Sequence, residues 1–257
     1  MIPFLPIFSA NHLSDITSSD SSNTQGQAFT AESPWHKDGQ SMYKKDRYAR
    51  DRVMKSVRLL YPYLKDGDTV LDVGCFTQEA KKYIPKEVKY VGIDEKAYHP
   101  ATRVVNLHHG FDPIQCSHAL CLETLEHLLD PADTLDSIYR SLPEAGYLVV
   151  SLPNESSVFH RIRSLLGVVD AECFSGQGKH LHLPSLKQSR EFLLLGQNFH
   201  ILSERYYVSP SAIGSKQAWV GQILKLIPDS LQQFLADEWP SLFARGFIFL
   251  LKKPSKT

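Results

Sequence analysis

The sequence predicts an α/β domain, doubly wound around a mostly parallel sheet. Three observations carry that expectation. The first is Val70-Leu71-Asp72-Val73-Gly74-Cys75, an apolar strand stopping at a glycine turn, followed by a second apolar run, Val88 to Ile93, that ends in Asp94. A strand, a tight turn, a helix and a second strand ending in an acid form a nucleotide-type βαβ unit. The second is the alternation of apolar runs with helical patterns through residue 152, the signature of a sheet covered on both faces. The third is size and composition: 257 residues, 42% hydrophobic and 22% charged, are ordinary for a soluble globular domain.

Taken in order, residues 1–40 are poor in large apolar side chains after Phe8 and rich in Ser, Thr, Asp, Gln and Asn, which predicts a flexible leader. From about Ser41 a helix is expected, with Val53, Val57, Leu60, Tyr61 and Leu64 on one face, ending near Tyr63–Asp66. Strand 69–73, helix 77–84 stopped by Pro85, strand 88–93 and a third strand, Arg103–Leu107, follow. His118–Leu122 is the fourth strand. Asp130-Pro131 starts a helix carrying Leu135, Ile138, Tyr139 and Leu142, because proline suits the first helical turn. Tyr147–Leu152 is the fifth strand. Beyond Asn154 come a short helix (Val158 to Leu166), a polar loop through Ser175-Gly-Gln-Gly178, and a helix from Ser185 to Leu195 ended by Gly196. His200–Val208 and Gly246–Leu251 are the last two strands, separated by an amphipathic stretch, 219–235, broken at Pro228.

Composition narrows the function classes. Lys+Arg and Asp+Glu balance at 28 each, so no global field attracts nucleic acid or an anionic membrane. Cys75, Cys116, Cys121 and Cys173 form no CxxC pair, which fits a reducing, cytoplasmic setting. No apolar run approaches the roughly 20 residues that span a bilayer. The apolar start, Met1 to Phe8, lacks a basic flank and a cleavage site. Oligomeric state is not readable.

Four motifs follow one another: Val70–Cys75; Tyr90-Val91-Gly92-Ile93-Asp94; Glu123-Thr124-Leu125-Glu126-His127-Leu128; and Gly146-Tyr147-Leu148-Val149-Val150-Ser151-Leu152-Pro153-Asn154. In this order and spacing they resemble the class I S-adenosylmethionine-dependent methyltransferases, and most closely the bacterial branch that includes ubiquinone-pathway and glycan-modifying members. The resemblance covers about residues 41–253. It implies a Rossmann-like, seven-stranded sheet with an antiparallel last strand, S-adenosylmethionine as cofactor, and a substrate cap from about 155–185 and 212–240.

The resemblance also implies roles. The family's DxGxGxG loop wraps the methionine part of the cofactor, which places Asp72, Gly74, Cys75, Phe76 and Gln78 around it. Asp72 and Gly74 fit that pattern; Phe76 and Gln78 stand where the second and third glycines belong, and Gln78 threatens to occupy cofactor space. Asp94, 20 residues after Gly74, is expected on the ribose hydroxyls, as strand-end acids are in many nucleotide folds. Asn106 and Leu107 fall near the adenine, though a turn-forming asparagine reads equally well. Glu123 is expected to contact cofactor or substrate, and His127, which titrates near neutrality, to take a proton from the acceptor; the same pair can instead tie the loop to its helix. Tyr43, Arg47 and Tyr48 precede the core on a helix that lies over the cofactor in the family. Asn154, His180 and His182 are substrate-side candidates. His180-Leu181-His182 with Cys173 upstream shows no fourth ligand, so no metal is expected. The acceptor implied is a small molecule or glycan. Two other readings stay open: a degenerate methyltransferase-fold protein that binds without turnover, motivated by Phe76 and Gln78, and a different nucleotide-using enzyme, for which GxGxxG fails twice.

Overall fold

The computed structural model describes residues 47–165, 167, 180–182, 184–195, 199–208 and 227–255. The expected leader, Tyr43, the loop 175–178, Gly196 and much of the expected cap lie outside the described residues, as do the side chains of Arg47 and Tyr48.

Seven strands among these residues form one sheet: β1 (Thr69–Val73), β2 (Lys89–Asp94), β3 (Arg103–Val104), β4 (His118–Leu122), β5 (Tyr147–Pro153), β6 (His200–Tyr207) and β7 (Gly246–Lys252). Their order is β3-β2-β1-β4-β5-β7-β6. The first five pair in parallel. The last, β7, runs antiparallel to both β5 and β6, which is the sheet expected from the sequence.

Side chains alternate across a strand, and the core splits accordingly. Leu71, Val73, Cys121, Val150 and Phe249 face one cluster, closed by Leu135 and Ile138 of α2 (Pro131–Ser141) and by Leu186 and Leu193 of α4 (Leu186–Leu195). Val70, Leu120, Val149 and Ile248 face the other, closed by Val53 and Val57 of α1 (Arg47–Arg58) with Leu60 just beyond it. Two covered faces force the central strands to be apolar throughout. The remaining helices among the described residues are α3 (Val158–Leu165), α5 (Asp229–Glu238) and α6 (Pro240–Phe243).

Local chemistry sets the boundaries. Asp130 caps α2, accepting from Ala132 N and Asp133 N at 3.1 and 3.2 Å. Ser185 Oγ accepts from Gln188 N at the start of α4. Three expectations need correction. Helix α1 ends at Arg58, and Tyr61–Tyr63 is a 3₁₀ turn, because Pro62 has no N–H and restricts the residue before it. The expected helix 77–84 is a 3₁₀ turn, Glu79–Tyr83, since Gln78 enters it at φ +59°, a conformation no right-handed helix contains. The third strand stops at Val104, because Asn106 Oδ1 accepts from His108 N at 2.9 Å and turns the chain.

Candidate active site

Strand order reverses between β1 and β4: the chain winds from β1 outward through β2 and β3, then restarts at β4 on the other side. Such a switch point opens a crevice beyond the carboxyl ends of the strands, where open α/β sheets take their ligands. Gly74 sits there at φ +74°, and a Cβ on it would lie 2.2 Å from Thr124 Oγ1. Glycine is therefore demanded by the loop after β4 as much as by its own dihedral.

The turn keeps the path of a glycine loop without its glycines. Phe76 and Gln78 stand at φ +44° and +59°, costing about 1 kcal/mol or more each. Gly74 N and Cys75 N both donate to Ile93 O, at 2.9 and 3.0 Å. Phe76 N donates to Asp94 Oδ2 at 2.8 Å, and its ring packs on Tyr98 with centroids 4.6 Å apart. The Gln78 side chain is 3% exposed. Its Nε2 donates to Thr102 Oγ1 at 3.2 Å, and a Cβ on Gly92 would meet that nitrogen at 3.1 Å. Gln78 is thus turned down against β2, surrounded by protein.

Two acids anchor this end. Asp72 is buried and accepts from the Tyr90 hydroxyl at 2.5 Å; burial pushes its carboxyl up to about 7, against the Tyr90 bond and with help from the charge of Asp94. Asp94, half-buried at the end of β2, also lies above the usual carboxylate range because of burial, opposed by the backbone N–H groups of Phe76 and Lys96. Cys75 is a free, buried thiol, pushed up to about 12 by burial and by Asp72. Leu107 is 1% exposed within the core and its carbonyl accepts from Thr134 Oγ1, while Asn106 is exposed with its amide oxygen in the turn.

Glu123 follows β4 at φ +52°. Its Oε2 stands 3.5 Å from Arg52 Nη1, and its Oε1 accepts from the Tyr207 hydroxyl at 3.1 Å. Burial and the Glu123 charge drive the Tyr207 phenol far above its ordinary value, so it remains a donor. Asn154 is fully buried. Its Nδ2 donates to the carbonyls of Pro240, Ser241 and Ala244, and its Oδ1 accepts from Ser156, so it fastens the end of β5 to α6.

A second group gathers beyond the ends of β4 and β5. Leu125–His127 is a 3₁₀ turn. Glu126 O accepts from Leu181 N and His182 N at 2.7 and 3.1 Å, which brings the His180–His182 segment against it. One ligating atom each from Glu126, His127 and His180 lies within 4.8 Å of the others. His180 Nδ1 is 2.7 Å from Glu155 Oε1, and Glu155 Oε2 is 3.4 Å from His160 Nε2. Burial opposes the Glu155 charge, but the bond to His180 and the nearby His160 and Arg245 hold it below the usual range. His182 turns away, its Nε2 2.9 Å from Leu128 O. Glu126 is 1% exposed, and neither carboxylate oxygen finds a hydrogen-bond partner in another residue. Burial, with the charges of Glu123 and Glu155, holds its carboxyl well above the ordinary range. It also lines an apolar cavity of about 360 Å³ with Leu125, Leu152, His182 and Phe192. A larger polar cavity, about 580 Å³, lies by Arg103, His109, Asp133 and Arg140 and holds none of the residues nominated from sequence.

A family model described as a methyltransferase domain matches residues 45–204. The chain belongs to the class I methyltransferases. No curated protein matches it. Among solved structures it resembles a SAM-dependent methyltransferase from Archaeoglobus fulgidus, at 18% identity and TM-score 0.52 over 84% of this chain and 99% of that one. It also resembles the putative methyltransferase of a Haloferax volcanii complex with the Trm112 activator, at 16% identity and TM-score 0.55 over 86% and 96%. A putative methyltransferase from Bacillus halodurans matches at 13% identity and TM-score 0.53 over 80% and 100%. At these identities the likeness is one of fold.

The cofactor of the methyltransferase family is S-adenosylmethionine, and the residues present fit it. Asp94 carries carboxylate lone pairs beyond those used by Phe76 and Lys96 at the end of β2. The two residues replacing glycines keep the glycine path, and the bulkier threat, Gln78, is folded into protein. Sequence reasoning missed Arg52, Thr102 and Tyr207, which brace this methyltransferase's loops from distant parts of the chain and carry no local signal; Thr124, inside the third motif, was given no role. Glu155 had one: it directly follows the last motif, at the carboxyl end of a central strand.

Proposed function

We propose that the chain transfers a methyl group from S-adenosylmethionine to a small-molecule or glycan-like acceptor. The observation that carries this reading is the strand-end carboxylate of Asp94 beside a loop that keeps three left-handed residues, Gly74, Phe76 and Gln78, with the Gln78 side chain turned away. Asp94 accepts from the ribose hydroxyls, and the 74–78 backbone cradles the methionine portion. The bound cofactor supplies an electrophilic methyl on a sulfonium whose departing sulfur needs no proton. The task left to the protein is alignment of the acceptor with that methyl. Glu123, held by Arg52 and Tyr207, forms the wall between the two sides. His127, whose side chain is 36% exposed, belongs to the acceptor side. The balanced charge favours a small or glycan-like acceptor over nucleic acid, and the buried free thiols favour a reducing, cytoplasmic setting.

One observation favours binding without turnover: two bulky residues, Phe76 and Gln78, stand at left-handed positions of the loop where the family has glycines. Calorimetric titration with S-adenosylmethionine and its demethylated product separates the readings. Micromolar binding is expected, and a folded sample that binds neither ends the proposal. Asp94→Ala should weaken binding about 100-fold, from the loss of two hydrogen bonds to a charged group at about 1.5 kcal/mol each. An unchanged affinity removes the ribose role. Binding with no methyl transfer across a panel of hydroxyl-, amine- and sugar-bearing acceptors selects the turnover-free reading.

A further inference from the structure

We propose that Glu126, His127 and His180 bind one divalent first-row transition-metal ion of the Zn²⁺ class. Two independent observations point there. The first is geometric: a carboxylate oxygen and two imidazole nitrogens converge within 4.8 Å from segments 53 residues apart in sequence (180 − 127). The second is an electrostatic vacancy. Glu126, a member of that cluster, is buried to 1% exposure with no hydrogen-bond partner for either oxygen in another residue, and a buried carboxyl takes its ionised form only when it is paired or coordinates a metal. The nearest imidazole nitrogen, His127 Nε2, stands 3.8 Å from Glu126 Oε1.

The surroundings are those of a ligand set. His180 gives its Nδ1 to Glu155 at 2.7 Å, which fixes the tautomer and leaves Nε2 for a cation, the carboxylate–histidine–metal arrangement. Two imidazoles and one carboxylate suit Zn²⁺ and its first-row neighbours and leave coordination positions open. Ligands at about 2.1 Å from a metal stand at most about 4.2 Å apart, so the cluster closes slightly on binding. His127 and His180, with side chains 36% and 27% exposed, have room to move and give an ion its route in. An ion needs neither cofactor nor acceptor to bind there, so its binding can be measured apart from methyl transfer. It also gives His127 a task that competes with direct proton transfer, because a nitrogen that ligates a cation cannot take a proton.

The test uses the chelator-stripped full chain titrated calorimetrically with ZnCl₂ and MnCl₂, with Co²⁺ as a visible probe. One ion per chain is expected, with d–d absorption for Co²⁺. Glu126→Gln keeps the shape of the side chain and His180→Ala removes a ligand; each should lose the bound ion. Glu155→Gln, which touches no metal, should weaken binding about 10–100-fold. His182→Ala, whose ring is held by the Leu128 carbonyl, should bind as wild type does. Circular dichroism confirms that the variants are folded, and the two independent ligand variants guard against loss of one. No binding to the wild-type chain, or undiminished binding to folded Glu126→Gln, overturns the proposal.

Discussion

The turn after β1 and the cluster beyond β4 and β5 differ in how they hold their most buried acids. In the first, Asp94 is tied to Phe76 N, Asp72 to the Tyr90 hydroxyl and Gln78 to Thr102. In the second, histidines and carboxylates crowd together while the Glu126 carboxyl finds no hydrogen-bond partner in another residue. A pre-tied loop has little to rearrange when a ligand arrives. A carboxyl left unpaired in the interior is a standing cost that a ligand can remove. On the two proposals above, the first region takes the cofactor with little rearrangement and the second takes a metal cation.

That contrast can be broken by substitution. The largest expected effect is Gly74→Ala: a methyl 2.2 Å from Thr124 Oγ1 at φ +74° combines overpacking with left-handed strain, for a loss of about 3 kcal/mol in urea unfolding. A near-neutral result means that the two loops are not locked together. Asp72→Asn probes the pH dependence of the pre-tied region. The Asp72 carboxyl titrates near 7 when folded and near 3.9 when unfolded. The native chain therefore holds a proton across that window that the unfolded chain has released, so its contribution to stability is full below about 4 and is lost as pH rises through about 7. The non-titrating variant should gain stability relative to wild type as pH is raised through that window; parallel stability curves refute the assignment. The smallest effect is expected from Gln78→Gly. Relief of left-handed strain and loss of the Thr102 bond nearly cancel, leaving stability within about 1 kcal/mol and cofactor affinity unmoved. A marked gain in affinity means that the glutamine does enter the cofactor's space.

How much of this was legible in the sequence follows the same division. The sheet was, because short, nearly continuous apolar runs such as 69–73 and 147–152 and the proline start of α2 are local signals. The turn at Gly74 and the acid at Asp94 were visible as types and spacing. What Phe76 and Gln78 do was not, because a residue name does not state its φ, and the expected helix behind them shrank to one 3₁₀ turn for that reason. The histidine pair shows a different failure. His180 and His182 were read as pointing the same way from an extended segment, yet one turns to Glu155 and the other to Leu128. With Cys173 upstream the pair offered no fourth ligand, whereas in the fold a ligating atom of His180 comes within 4.8 Å of one each from Glu126 and His127. Such long-range meetings follow from topology, which spacing does not encode.

The stretch shared with the family ends at residue 204, three residues before Tyr207. Yet the hydroxyl of Tyr207 holds Glu123, a residue inside the shared stretch. Gly246, further along still, leaves the room that ring occupies, since a Cβ there would lie 2.2 Å from its oxygen. The segment beyond residue 204 thus reaches back to hold a carboxylate of the loop after β4. The direction in which Glu123 points is therefore set by a strand pair, β6 and β7, whose hydrogen bond to it comes from 84 residues further along the chain.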